Sequence, residues 1–134
     1  MNQQQLIQEA KQIRERAYTP YSKFPVGAAL LTEDGTLFTG CNIENAAYPV
    51  TCCAERVAIF KAISEGYHRF SQIAVVADTK RPVPPCGSCR QVMSEFFDSN
   101  VMIHTSNLNG ETKSLPMNEL LPFSFAASDL PEEE

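Results

Sequence analysis

Along residues 3–17 the apolar positions Leu6, Ile7, Ala10, Ile13 and Ala17 recur at steps of three and four. That is the period of one helix face, and it predicts an amphipathic helix that ends before Pro20 and packs on a sheet. Residues 26–32 and 37–43 have strand length and flank a glycine-containing turn at 33–36, the signature of a β-hairpin. Residues 54–65 are rich in Ala, Val, Ile and Phe on nearly every side. They predict a mostly buried helix, with Gly66 suited to a left-handed residue at its end. The uninterrupted run Ile73-Ala74-Val75-Val76-Ala77 predicts a central strand covered on both faces. A loop stiffened by Pro82, Pro84 and Pro85 then leads into a third helix over residues 87–97, with Val92, Met93, Phe96 and Phe97 facing inward. Residues 101–105 and 111–115, joined by Asn107-Leu108-Asn109-Gly110, predict a last hairpin, and a helical turn follows at 118–121. The order αββαβαββ predicts an α/β fold, a three-layer α/β/α sandwich around a mixed five-stranded sheet.

Composition narrows the class. The chain has 134 residues, 43% hydrophobic and 20% charged, which fits one globular domain spanning residues 1–134 with a short acidic, solvated tail at 132–134. The first residues lack the layout of a signal peptide, and no apolar run approaches the length of a membrane span, so a cytoplasmic protein is expected. In that reducing compartment five cysteines, an odd count, point to metal binding or free thiols rather than a disulfide framework. A net charge of -5, with 11 scattered Lys and Arg, weighs against nucleic acid as a partner and favours a small or uncharged molecule.

The chemistry lies in Cys53-Ala54-Glu55 and Pro85-Cys86-Gly87-Ser88-Cys89. These offer three thiolates and a carboxylate, with no fourth protein ligand in view. A structural zinc site is closed by four protein ligands, whereas a catalytic one keeps a position open. One zinc per chain is therefore expected on Cys53, Cys86 and Cys89, at about 2.3 Å from each sulfur. Cys53 and Glu55 are two residues apart and reach one point only at a helix N-terminus, where side chains lean back past the last amides. Cys86 and Cys89 are three apart and share a face, so two helix ends are expected to meet at the metal. Three thiolates and one zinc dication sum to -1. Arg56, on the face of Cys53, is the candidate to offset that charge by donating hydrogen bonds to sulfur, the alternative being a surface ion pair. Glu55 beside an open zinc reads as a general acid and base. Cys41 and Cys52 read as buried thiols outside the site, and His68 and His104 as loop or strand residues rather than ligands. A non-catalytic zinc-stabilised binding module is the competing class, and it would need a fourth ligand but not Glu55. Taken alone, Asn42 and Glu44 read equally as turn residues ending a strand, and Phe24 as ordinary core.

The two cysteine motifs resemble the zinc-dependent cytidine deaminase family, whose relatives carry a His- or Cys-x-Glu and a Pro-Cys-x-x-Cys. Cysteine as the first ligand, with the short chain, is similar to the small homotetrameric type. The resemblance extends through residues 21–29, Gly40-Cys41-Asn42-Ile43-Glu44-Asn45-Ala46-Ala47-Tyr48-Pro49 and Pro122-Phe123-Ser124-Phe125. It implies hydrolytic deamination of cytidine and deoxycytidine to uridine and deoxyuridine with release of ammonia, in pyrimidine salvage. Asn42 and Glu44 would hold the ribose hydroxyls, Phe24 would pack on the base or sugar, and the backbone near Ala54 would read the base edge. Glu55 would protonate the ring nitrogen and then the departing ammonia. Ala46, Tyr48 and Phe125 would complete sites in neighbouring subunits of a tetramer. Blasticidin deaminase, with a similar motif and size, is the alternative substrate class.

Overall fold

A capping box opens the first helix, α1 (Gln3–Ile13): Asn2 accepts from the Gln5 amide at 2.9 Å while the Gln5 side chain accepts from the Asn2 amide at 2.8 Å. The structure, a computed structural model, describes residues 1–131; the acidic residues 132–134 lie outside the described residues. Strands β1 (Val26–Thr32), β2 (Leu37–Cys41), β3 (Phe70–Ala77), β4 (Met102–Ser106) and β5 (Thr112–Pro116) form one sheet in the order β2-β1-β3-β4-β5. Helices α2 (Ala54–Ser64), α3 (Gly87–Phe96) and the short α4 (Met117–Leu120) complete the elements used below. β3 and β4 run parallel, joined by the crossover that contains α3, and the other neighbours are antiparallel. The expected mixed sheet is present.

Period-two alternation sorts the strands between two cores. Ala28, Leu30, Ile73, Val75 and Ile103 face α2 and α3, while Ala29, Leu31, Ala74 and Val76 face Leu6 and Ala10 of α1. β3 is therefore covered on both faces, as its unbroken apolar run requires. β2 and β5 are the edges; Lys61 Nζ donates to the Thr39 carbonyl of β2 at 2.5 Å, and β5 carries Lys113 and Pro116.

Two glycines let helices approach the sheet more closely than a side chain permits. A Cβ on Gly27 would collide with the Ala10 carbonyl and lie 2.8 Å from the Arg14 amide nitrogen. A Cβ on Gly40 would lie 2.5 Å from the Ala54 carbonyl oxygen and 2.6 Å from the Ala58 nitrogen. Gly40 thus sets the depth at which the first turn of α2 sits.

Several boundaries differ from the sequence expectation. The first helix was expected through Ala17 but tightens into a 3-10 turn at Arg14–Arg16, after which Ala17 is extended. The chain must straighten there because Tyr18 pairs with the 42–44 segment, donating to Asn42 O at 3.0 Å and accepting from the Glu44 amide at 2.9 Å. β2 ends at Cys41 rather than Ile43, since the Asn42 side chain takes over from the ladder and accepts from the Val26 amide at 2.9 Å. Ile43 instead pairs with Cys52 through two bonds of 2.9 and 3.0 Å. In α2, Phe60 is 45% exposed, so that helix is less enveloped than its composition implied. Phe97 follows α3 as an extended residue yet is still buried.

His104 is buried across β3, β4 and β5, with Nδ1 2.6 Å from Ser114 Oγ and Nε2 2.9 Å from Gln72 Oε1. The Gln72 carbonyl can only accept, which fixes the proton on Nε2 and leaves Nδ1 to accept from the serine.

Two outcomes follow from this packing. Gly40→Ala should cost about 1–3 kcal/mol in chemical denaturation, because backbone rather than a flexible side chain occupies the space. Burial lowers the His104 pKa below 6.5, so the unfolded state takes up the proton first as pH falls. The stabilising contribution is present above the unfolded value and is lost on acidification towards the folded one. Stability measured between pH 7 and pH 5 should therefore fall less steeply in His104→Gln than in the parent protein.

Candidate active site

Cys53 is the N-cap of α2 and Cys86 the N-cap of α3, and neither side chain bonds its own helix backbone. These are positions that Ser, Thr, Asp or Asn commonly fill with a capping oxygen. Thiols placed there leave their sulfurs free and aim them at a common point. Cys89, one turn into α3, is buried beneath them. Cys86 therefore stands just before the helix expected from residue 87, and Cys89 lies on its first turn.

The three sulfurs lie within 4.8 Å of one another, and Cys53 Sγ is 3.9 Å from Cys86 Sγ. Tetrahedral zinc with bonds of about 2.3 Å to sulfur separates its ligands by about 3.8 Å. The donor set therefore fits a zinc ion and could hold one. Among the described residues no other group of three such side chains has this spacing, and Cys41 and Cys52 stand outside it.

The electrostatics explain why a thiolate is stable here. A hydrogen bond from Cys89, then one from Arg56, outweighs burial and lowers Cys53 to about 5. Donating to the Cys53 sulfur, together with burial, raises the Cys89 thiol. Arg56 Nη2 is 3.3 Å from Cys53 Sγ and 3.4 Å from the Thr51 carbonyl. The Arg56 Nε is buried with no partner among the described residues. A guanidinium held against sulfur with one donor unspent fits a more negatively charged centre than the thiols alone provide, and among the described residues Arg56 makes no ion pair. Glu55, on the first turn of α2, is 5% exposed, and burial pushes its carboxyl up to about 7. It retains its proton to near neutrality, as a group that both gives and takes one must.

Beside the sulfurs opens a cavity of about 240 Å³ lined by Phe24, Asn42, Cys53, Ala54, Glu55 and Cys86. Its remaining wall comes from Val26, Val75, Ala77, Val83, Pro84, Pro85 and Ser106, none of which sequence reasoning gave a role towards a ligand. Their signal was positional: Val75, Ala77 and Ser106 lie towards the carboxyl ends of the parallel pair, where open α/β sheets place ligands. Among the described residues Glu55 is the only acidic or basic side chain, apart from the thiols, that lines this space. Asn42 joins it with its amide already used, since Nδ2 donates to the Phe24 carbonyl at 2.9 Å and Oδ1 accepts from Val26. Lys23 precedes Phe24 at φ 58°, a left-handed turn that directs the chain towards the cavity.

Four further candidates are not in the cavity wall. The Glu44 carboxylate accepts from the Tyr21 and Ser22 amides at 3.0 and 3.1 Å, and its pKa is lowered chiefly by the Ser22 side chain. Tyr48 is 69% exposed and packs edge-on against Tyr21, with Ala46 exposed nearby. Phe125 is 59% exposed, held only through its carbonyl by Gln91 Nε2 at 3.0 Å.

A sequence model of the cytidine and deoxycytidylate deaminase zinc-binding region matches residues 1–105. The chain belongs to this family. Among members of the deaminase family, a cytidine deaminase of Sporosarcina psychrophila is 55% identical over 130 residues, covering 97% of this chain and 96% of its own. One from Halalkalibacterium halodurans is 56% identical over 130 residues, covering 97% and 98%. The crystal structure of cytidine deaminase from Burkholderia pseudomallei superposes with a TM-score of 0.91 at 47% identity, covering 93% of this chain and all of that one. A blasticidin-S deaminase of Bacillus cereus is more distant, 34% identical over 113 residues.

For a deaminase-family centre of this kind, metal analysis should find one zinc per chain. Cys41→Ala and Cys52→Ala should retain it, while Cys53→Ala and Cys89→Ala should lose most of it. Because thiol protons must leave as zinc enters, uptake by the metal-free protein should weaken as pH is lowered from 8 to 6 in a competition titration.

Proposed function

We propose that this chain is a zinc-dependent cytidine deaminase, converting cytidine and deoxycytidine to uridine and deoxyuridine with release of ammonia. The observation that carries the reading is the placement of the buried Glu55 carboxyl in one nucleoside-sized cavity with three convergent sulfurs. Cys53, Cys86 and Cys89 hold one zinc per chain, and when bound the metal supplies activation of water at neutral pH. Water adds to the ring carbon bearing the amino group. Glu55 delivers a proton to the adjacent ring nitrogen and is reprotonated by the attacking water; it then passes that proton to the amino nitrogen as the carbon–nitrogen bond breaks and ammonia leaves, and takes up the remaining hydroxyl proton as the carbonyl forms. Arg56 offsets thiolate charge, so that the centre keeps enough Lewis acidity to act.

Asn42 holds a ribose hydroxyl, Phe24 packs on the base or sugar, and backbone at Ala54 reads the base edge. Among the described residues the cavity wall has no Lys or Arg, which supports an unphosphorylated substrate. Blasticidin as the principal substrate is the weaker reading, because full-length similarity favours the cytidine deaminases. The three-ligand sulfur set and buried Glu55 also speak against a non-catalytic zinc-stabilised module, which needs a closed site.

The exposed positions of Glu44, Ala46, Tyr48 and Phe125 belong with assembly. We infer a homotetramer in which Glu44 reaches the sugar, while Ala46, Tyr48 and Phe125 complete the sites of neighbouring copies. Phe123 and Phe125, both exposed on the isolated chain, support that reading. The same reading takes residues 1–134 as one catalytic domain, acting in the cytoplasm on a free nucleoside without nucleic acid or membrane partners. Among the described residues no helix is long and apolar enough to cross a membrane.

An ammonia-release assay across cytidine, deoxycytidine, cytosine and blasticidin tests the activity: turnover should be confined largely to the first two. Glu55→Gln should keep zinc and fold yet lower kcat by at least 100-fold, the scale of general acid–base catalysis, with substrate affinity less affected. Mixing Glu55→Gln with Phe125→Ala subunits under exchange should raise activity above the sum of the parents. A fully active monomer would refute shared sites.

A further inference from the structure

On the other side of Pro84 from the catalytic cavity lies a second cavity of nearly the same size, about 230 Å³ against 240 Å³. Pro84 lines both. Their electrostatics are opposite. The second cavity gathers Arg81, Arg90 and Lys113 against the single carboxylate of Glu119, in a chain whose net charge is -5. None of these three cations has a carboxylate within 4.0 Å among the described residues, where the one ion pair is Arg14–Glu15. Cations gathered in excess of carboxylates raise the local potential for an anion.

The site is partly built in advance. Arg90 is half-buried and fixed, with Nε donating to the Pro85 carbonyl at 2.8 Å and Nη1 to the Leu120 carbonyl at 3.1 Å. Its Nη2 makes no hydrogen bond among the described residues, and a guanidinium held at two points keeps its orientation for a phosphate oxygen. Arg81 and Lys113 are exposed and can close over the same anion. Beneath them Ile103, Leu115 and Leu120 supply an apolar floor, and the Thr105 side chain supplies a hydroxyl. Bare inorganic anions gain nothing from an apolar floor, and neutral nucleosides nothing from three cations. A flat ring carrying a phosphate uses both.

We propose that this cavity is a second ligand site that binds a nucleoside monophosphate. Its phosphate pairs with Arg81, Arg90 and Lys113, and its base lies on the Ile103, Leu115 and Leu120 floor. Occupancy is coupled to the metal loop, because the guanidinium of Arg90 that meets the phosphate also holds the carbonyl of Pro85, the residue before Cys86.

Calorimetric titration of zinc-loaded protein with uridine monophosphate, in the presence of saturating uridine to fill the catalytic cavity, tests this without reference to turnover. Uridine monophosphate should bind at least tenfold more tightly than orthophosphate, and more weakly as salt is raised. The double variant Arg81→Gln/Lys113→Gln, both positions exposed, should fold normally by circular dichroism and lose at least tenfold in affinity. The proposal is overturned by absence of binding at millimolar nucleotide, displacement of nucleotide by uridine, equal affinity for orthophosphate, or an unchanged affinity in the double variant.

Discussion

The site depends on how closely α2 approaches β2. At Gly40 the strand backbone meets the carbonyl of Ala54 and the amide of Ala58 with no room for a Cβ, so the first turn of α2 is located by backbone contact rather than by adaptable side chains. Cys53, Glu55 and Arg56 all hang from that turn. Its entry is fixed as well, since Cys52 is paired with Ile43 and Ile43 lies beside Tyr18. The ladder thus passes from the hairpin edge directly to the residue before Cys53.

Around this scaffold the charges are arranged as a sequence of compensations. A thiolate at the cap of a helix faces the positive end of the helix dipole and a guanidinium. The neighbouring carboxyl, deprived of water, stays protonated to about 7. Removing either burial or Arg56 would disturb both groups, because one α2 turn carries Glu55 and Arg56 within three residues of Cys53. Geometry and protonation are not independent here: the burial that locks Glu55 in place is also what tunes it.

The local part of this arrangement was legible in the sequence. An unbroken apolar run marked β3 as covered on both faces, strand length and a glycine-containing turn marked the β1–β2 hairpin, and the two cysteine motifs marked the sulfur cluster because ligand spacing at helix starts is a short-range property. Arg56 was legible for the same reason, one helical turn from Cys53. Asn42 showed only half its behaviour: its side chain substitutes for a strand backbone and ties Phe24 to Val26, a long-range role that no local pattern announces. The cavity wall from Val75, Ala77 and Ser106 was hidden because these residues look like ordinary strand residues until the parallel pairing of β3 and β4 brings their ends together. The early end of the first helix was hidden too, being imposed by Tyr18 pairing with a segment more than twenty residues away.

The two borders of the sheet carry a further consequence. On β2, Lys61 occupies a carbonyl that another strand would need, and on β5 a proline removes one donor while a lysine places a charge at the border. A sixth strand from another molecule finds no continuous template at either border. Growth by sheet extension, the route that leads to fibres, is discouraged, and contacts between copies are left to helices and loops, whose shapes favour closed assemblies of limited size.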